Sequence, residues 1–122
     1  MNGLDVFAFG ITTAPKSIKR LGEHFAFDYK KCDYLLLHQA NIKMNEAIRK
    51  KLQLNSEQVP YSLMDFGNTS SASIPLTIVT QLKGKVENKL TKFVCCGFGV
   101  GLSWGTVAFE TRQLIISDLV EL

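Results

Sequence analysis

Apolar positions along this chain fall into short blocks whose spacing switches between the helical and the extended repeat. Residues 1–10 are mixed and carry no cap or turn signal. Thr12 and Thr13, followed by Ala14 and Pro15, offer a hydroxyl cap and a first-turn proline, which predicts a helix start. Ile18, Leu21 and Phe25 then recur at three- and four-residue steps and give that helix one apolar face. Gly22 inside it costs on the order of 1 kcal/mol against alanine, so close packing is its expected reason. After a polar turn at 28–31, residues 33–37, with their apolar run Tyr34-Leu35-Leu36-Leu37, read as a buried strand. It ends abruptly in His38-Gln39-Ala40-Asn41.

Asn41 can cap a helix whose apolar face is Ile42, Ala47, Ile48 and Leu52, with Glu46 and Lys50 as an i,i+4 pair. Residues 54–58 read as a loop, and 59–64 as a short extended segment held near a sheet edge by Pro60. A further helix is expected from about Ser71, with Pro75 in its first turn and Ile74, Ile78, Val79 and Leu82 facing inward. Gly84 and the charges around it end that helix. Residues 92–96 read as a strand, a glycine-rich corner follows, and 102–109 alternate as a second strand. The tail, 111–122, has helical spacing in Leu114, Ile115 and Leu119. Helices alternating with strands in this order indicate α/β architecture around a mixed sheet.

At 122 residues the chain is one domain or part of one. Its 46% hydrophobic and 20% charged residues are ordinary for a globular protein, and a net charge of +3 is too small to argue for nucleic acid. Eight phenylalanines are more than a surface needs and imply a core or a pocket lining. Cys32, Cys95 and Cys96 are an odd count without paired metal-ligand spacing, so neither a metal site nor a disulfide framework is suggested. A reducing cytoplasm fits best. No apolar run reaches the roughly 18 residues of a membrane span, and the start lacks the order of a signal peptide.

Three corners carry the candidate chemistry. His38 follows a buried strand, where the groups of open α/β sheets collect. Phe66-Gly67-Asn68-Thr69-Ser70-Ser71 is a second polar corner, and Cys96-Gly97-Phe98-Gly99-Val100-Gly101 a third. Alone, each has a structural reading: a hydrogen-bonding histidine, ordinary turn residues, a tight hairpin. The glycine corner opens a strand, whereas a dinucleotide-binding loop must open a helix, so nucleotide binding is rejected.

Taken together, "HQAN", "GNTSSASIP" and "GFGVGLSWG", in that order and spacing, strongly resemble the C-terminal half of 3-oxoacyl-acyl-carrier-protein synthase III, a thiolase-fold ketosynthase. The opening "MNGLDVFAF" is similar to the segment leading into that half, and the resemblance spans residues 1–110. It implies a thiolase-like half-domain at 1–110 followed by a tail at 111–122, with the half's first strand lacking. It also implies a Cys-His-Asn site to which His38 and Asn68 contribute the histidine and asparagine. Phe98 falls on the aromatic residue beside the nucleophile. Gly99, Val100 and Gly101 fall on the oxyanion corner, where the family usually has glycine at the position of Val100. Leu102 likewise replaces a more usual aromatic. Lys43 falls on a basic residue that docks the acidic carrier protein.

The implied reaction joins an acyl primer from acyl-CoA to malonyl-acyl-carrier protein with loss of CO2, starting fatty-acid synthesis without a further cofactor or metal. None of the three cysteines lies in the family's nucleophile motif, so that residue is expected in an N-terminal half outside this chain, and the isolated chain is expected to be inactive in condensation. Two alternatives stay open: a specialised ketosynthase of secondary or surface-polysaccharide metabolism, and a non-catalytic half-domain serving as an interaction module. Unpaired strands predict a homo-oligomer, with 59–64 and 92–96 as candidate contacts.

Overall fold

The computed structural model describes residues 2–122, so Met1 lies outside the described residues. The first element is α1 (Gly3–His24), which starts well before the expected Thr12. Its cap is Asn2, whose side chain accepts from the Leu4 N–H at 3.1 Å, and Asp5 in the first turn complements the helix dipole. Pro15 is therefore internal. It removes the N–H that would bond the Ile11 carbonyl, and Lys51 Nζ donates to that carbonyl at 3.4 Å. The expected reason for Gly22 holds: a Cβ there would lie 2.9 Å from the Phe27 carbonyl oxygen.

Three strands form one mixed sheet in the order β1 (Tyr34–Leu37), β2 (Thr91–Gly99), β3 (Ser103–Thr111). β1 runs parallel to β2, with Leu36 opposite Cys95 and Leu37 opposite Cys96, and β3 runs antiparallel to β2. β2 continues past the expected 92–96 into the glycine corner, so the turn occupies only 100–102. Gly101, at φ +120°, supplies backbone freedom that the turn needs.

The pleat sorts side chains to two cores. Leu35, Leu37, Val94, Cys96 and Phe98 pack with Ala14, Ile18, Met44 and Ile48 of the helices on one face. Leu36, Phe93 and Cys95 pack with Leu82, Val86 and the half-buried Ile74 and Ile78 on the other. Each fully buried aliphatic side chain contributes roughly 1.5–3 kcal/mol against leaving it in water.

The connection from β1 to β2 carries three α-helices. α2 (Ile42–Lys51) starts at the expected cap, Asn41 Oδ1 accepting from Met44 N at 2.8 Å. Its buried face is Met44, Asn45 and Ile48 continuing to Leu52, whereas Ile42 is 38% exposed, contrary to the expected stripe. Glu46 pairs with Arg49, not Lys50, because the guanidinium reaches both carboxylate oxygens at 2.7 and 3.1 Å. Tyr61 O–H also donates to Glu46 at 2.8 Å, and these donors hold its carboxyl down at about 2.

The segment expected to be extended at 59–64 joins no sheet ladder; residues 59–62 form a partly buried connection, and α3 (Leu63–Phe66) takes up the rest. Pro60 has no N–H for a ladder, the Ser62 N–H donates to Gln39 Oε1 at 3.0 Å, and its hydroxyl meets Thr77 Oγ1 at 2.8 Å. α4 (Ser73–Thr77) carries Pro75 in its first turn as expected, then widens to a π-helical stretch over Ile78–Leu82. Of its expected inward face only Leu82 is fully buried. Residues 114–122 contain no helix, so the spacing of Leu114, Ile115 and Leu119 is not realised as one. Leu114 and Ile116 instead pack, half-buried, against the second core, and Lys83 pairs with Asp118.

Neither expected contact strand is a sheet edge. Residues 92–96 lie in β2, paired on both sides, and the edges are β1 and β3.

Candidate active site

A cavity of about 560 Å³ opens at the carboxyl ends of β1 and β2. Its lining includes His38, Asn68, Ser73, Phe98, Gly99 and Val100, with Val6 and Phe9 of α1 at one side. Five of the seven sequence-derived site residues thus share one cavity. Gly101 sits beyond it in the hairpin turn, and Lys43 is exposed in the first turn of α2, away from the lining.

His38 is delivered by β1, and its backbone N–H extends the sheet ladder to Cys96 O at 3.0 Å. Its carbonyl accepts from Ala40 N at 2.9 Å and from Asn45 Nδ2 at 3.3 Å. The half-buried imidazole bonds through Nδ1 to Ser73 Oγ at 2.8 Å, and the Phe98 ring meets it edge-on, centroids 5.5 Å apart at 85°. Burial pushes the imidazole pKa below its ordinary value, because the charged form loses water without gaining a carboxylate. The ring is neutral at neutral pH and keeps one N–H to donate.

Asn68 stands in a turn set by Gly67, whose φ +65° and ψ −155° are essentially confined to glycine. The Asn68 Oδ1 accepts from Ser70 N at 2.9 Å. That bond orients the amide through its oxygen and leaves the Nδ2 hydrogens for a ligand. Ser70 itself is held at φ +56°, a strained value for a residue with a side chain.

Gln39, Asn45 and Ser73 were given no role by sequence reasoning. Gln39 is fully buried and braces three segments: Nε2 donates to Leu37 O at 2.8 Å, Oε1 accepts from Ser62 N, and its N–H donates to Ser73 Oγ at 3.2 Å. Ser73 lies within "GNTSSASIP" and Gln39 within "HQAN", so motif membership was the available signal.

All three thiols are buried and none lines the cavity. Burial pushes Cys32 up to about 12 and Cys95 up to about 11, and raises Cys96 as well. Among the described residues no group of three or more His, Cys, Asp or Glu side chains is placed to hold a metal ion. Nor is any helix long and apolar enough to cross a membrane.

The family model described as 3-oxoacyl-[acyl-carrier-protein (ACP)] synthase III C terminal matches residues 23–111, well over half the chain. This chain belongs to that family. The beta-ketoacyl-[acyl-carrier-protein] synthase III of Synechococcus elongatus is 37% identical over 116 residues, 94% of this chain and 34% of its own length. That of Geobacillus kaustophilus is 38% identical over 111 residues, 90% of this chain and 36% of its own length. The crystal structure of the Burkholderia xenovorans 3-oxoacyl-(acyl-carrier protein) synthase matches with a TM-score of 0.90 at 38% identity, covering 97% of this chain and 34% of that one. The chain therefore spans about a third of the length of those relatives, and its mixed sheet with flanking helices is that of a thiolase-like half.

Proposed function

We propose that this chain supplies the histidine–asparagine half of a Cys-His-Asn site in a condensing acyltransferase that starts fatty-acid synthesis in the reducing cytoplasm. The observation that carries this reading is the pairing of His38 and Asn68 on one cavity, each with its other polar atom already engaged. The nucleophile comes from an N-terminal thiolase-like half, since every thiol here is buried away from the cavity with a raised pKa.

A cysteine thiolate of that half attacks the carbonyl of acyl-CoA, and the CoA thiolate leaves. The malonyl thioester of the carrier protein then breaks its bond to the carboxylate. CO2 departs, and the electron pair moves onto the thioester oxygen as an enolate. His38 and Asn68 each donate one N–H to that oxygen, which is electrostatic stabilisation of charge as it develops. The enolate carbon attacks the acyl-enzyme, the tetrahedral oxyanion is held by the Val100 backbone N–H, and the cysteine thiolate is released. No further cofactor is needed. Lys43, exposed on α2, presents a cation to the acidic carrier protein.

The test is a fusion of this chain to the N-terminal half of a synthase III. The fusion should condense acetyl-CoA with malonyl-carrier protein, whereas the chain alone should neither take up labelled acyl groups nor condense them. His38→Ala and Asn68→Ala should each lower condensation by two to three orders of magnitude, about 2.7–4 kcal/mol, and impair acyl transfer to cysteine far less. Condensation by the isolated chain, or by both variants at the parent rate, would remove the assignment.

A further inference from the structure

We infer that Ser73 is a positioning residue that holds His38 in the Nε2–H tautomer. The argument is a count of hydrogens at one buried oxygen. Ser73 is 1% exposed, and its Oγ lies 3.2 Å from the Gln39 backbone nitrogen and 2.8 Å from His38 Nδ1. A peptide N–H can only donate, so one Oγ lone pair is taken by Gln39. The hydroxyl carries a single hydrogen, and among the described residues its one acceptor within reach is His38 Nδ1. Were Nδ1 protonated, Oγ would accept from two N–H groups, and its own hydrogen would be buried without a partner, which is costly. Nδ1 is therefore the acceptor, and in the neutral ring the proton sits on Nε2.

The rest of the local structure prevents evasion. The His38 backbone is pinned by Cys96 O, Ala40 N and Asn45 Nδ2, and Phe98 closes on the ring edge-on. Ser73 is itself placed by α4, whose Thr77 hydroxyl donates to the Ser73 carbonyl at 2.8 Å. None of the residues lining the cavity carries a charge that would bias the ring. The consequence for catalysis rests on the function proposed above: an Nε2–H donor is available to an enolate before substrate arrives, and no proton must be rearranged.

The tautomer can be read on the whole 122-residue chain labelled with 15N-histidine, by long-range proton–nitrogen correlation at about pH 8, above the ordinary imidazole range. Exposed His24 gives the unconstrained tautomer mixture in the same spectrum. His38 should show a fully pyridine-type Nδ1 and a fully pyrrole-type Nε2, distinct from His24. Ser73→Ala should move both His38 nitrogens toward the His24 values, and Ser73→Thr, which keeps the hydroxyl, should restore the parent pattern. A wild-type His38 with Nδ1 protonated, or with shifts equal to those of His24, overturns the proposal without recourse to any variant. So does a folded Ser73→Ala chain whose His38 signals do not move. An Nε2–H signature with an inactive fusion would sink the proposed function and leave the role of Ser73 standing.

Discussion

Burial at His38 has a measurable cost on the acid side. Its folded pKa lies below the ordinary value of 6.5, so just below that pH the unfolded chain binds the His38 proton more readily than the folded chain. Stability from this group is complete above the unfolded value and is lost as pH falls through the folded one. Urea midpoints should therefore drop on acidification from about pH 7 to pH 5, and His38→Gln should flatten that part of the profile. Gly22 offers a second residue-level test. Alanine gains about 1 kcal/mol of helix propensity, but its Cβ would stand 2.9 Å from a backbone oxygen that cannot swing away. Such overpacking typically costs about 1–3 kcal/mol, so Gly22→Ala should lower or at best leave unchanged the midpoint of thermal unfolding. A clear rise would show that the turn at Phe27 yields easily.

At the scale of elements, the short helix α2 begins directly after "HQAN", and Asn41 is its cap. Asn41→Ala should cost about 1 kcal/mol in denaturant unfolding, while Asn41→Asp or Asn41→Ser should retain most of the stability. Caps of this kind are legible in sequence because donor and acceptor are three residues apart. The start of α1 was misplaced for the opposite reason. A threonine pair before proline is a strong local signal, yet the helix passes through it because α1 packs along α2 and the sheet, with Ala14, Pro15 and Ile18 buried. Packing outweighs one lost helical hydrogen bond, the more so when Lys51 serves the freed carbonyl.

Across the whole molecule, the sheet stops at β3. One side of its ladder is unpaired, and Trp104 and Val107 are each 54% exposed along nine residues with Glu110 as the lone charge. Such an edge recruits other strands. The isolated chain should associate with rising concentration in sedimentation velocity, and Val107→Lys should shift it toward monomer. A monomer at every concentration would mean that this edge is adequately protected.

Sequence alone determined what depends on neighbours a few residues apart: the strand ending at Leu37, the Asn41 cap, the glycine-bearing turns at Gly67 and Gly101, and the motif positions of His38 and Asn68. Residues 59–64 were misread because Pro60 and the apolar residues around it suit an edge strand as well as an unpaired connection into a helix, and only the demands of Gln39 and Thr77 on Ser62 separate the two. The same limit hid Ser73. Its oxygen meets the His38 ring across 35 residues of chain, brought there because β1 and β2 pair in parallel and the intervening α4 must cross back over the sheet. Which nitrogen of His38 carries the proton is decided by that crossing, since a serine's hydrogen goes to whichever acceptor the folded chain sets within 3 Å of it.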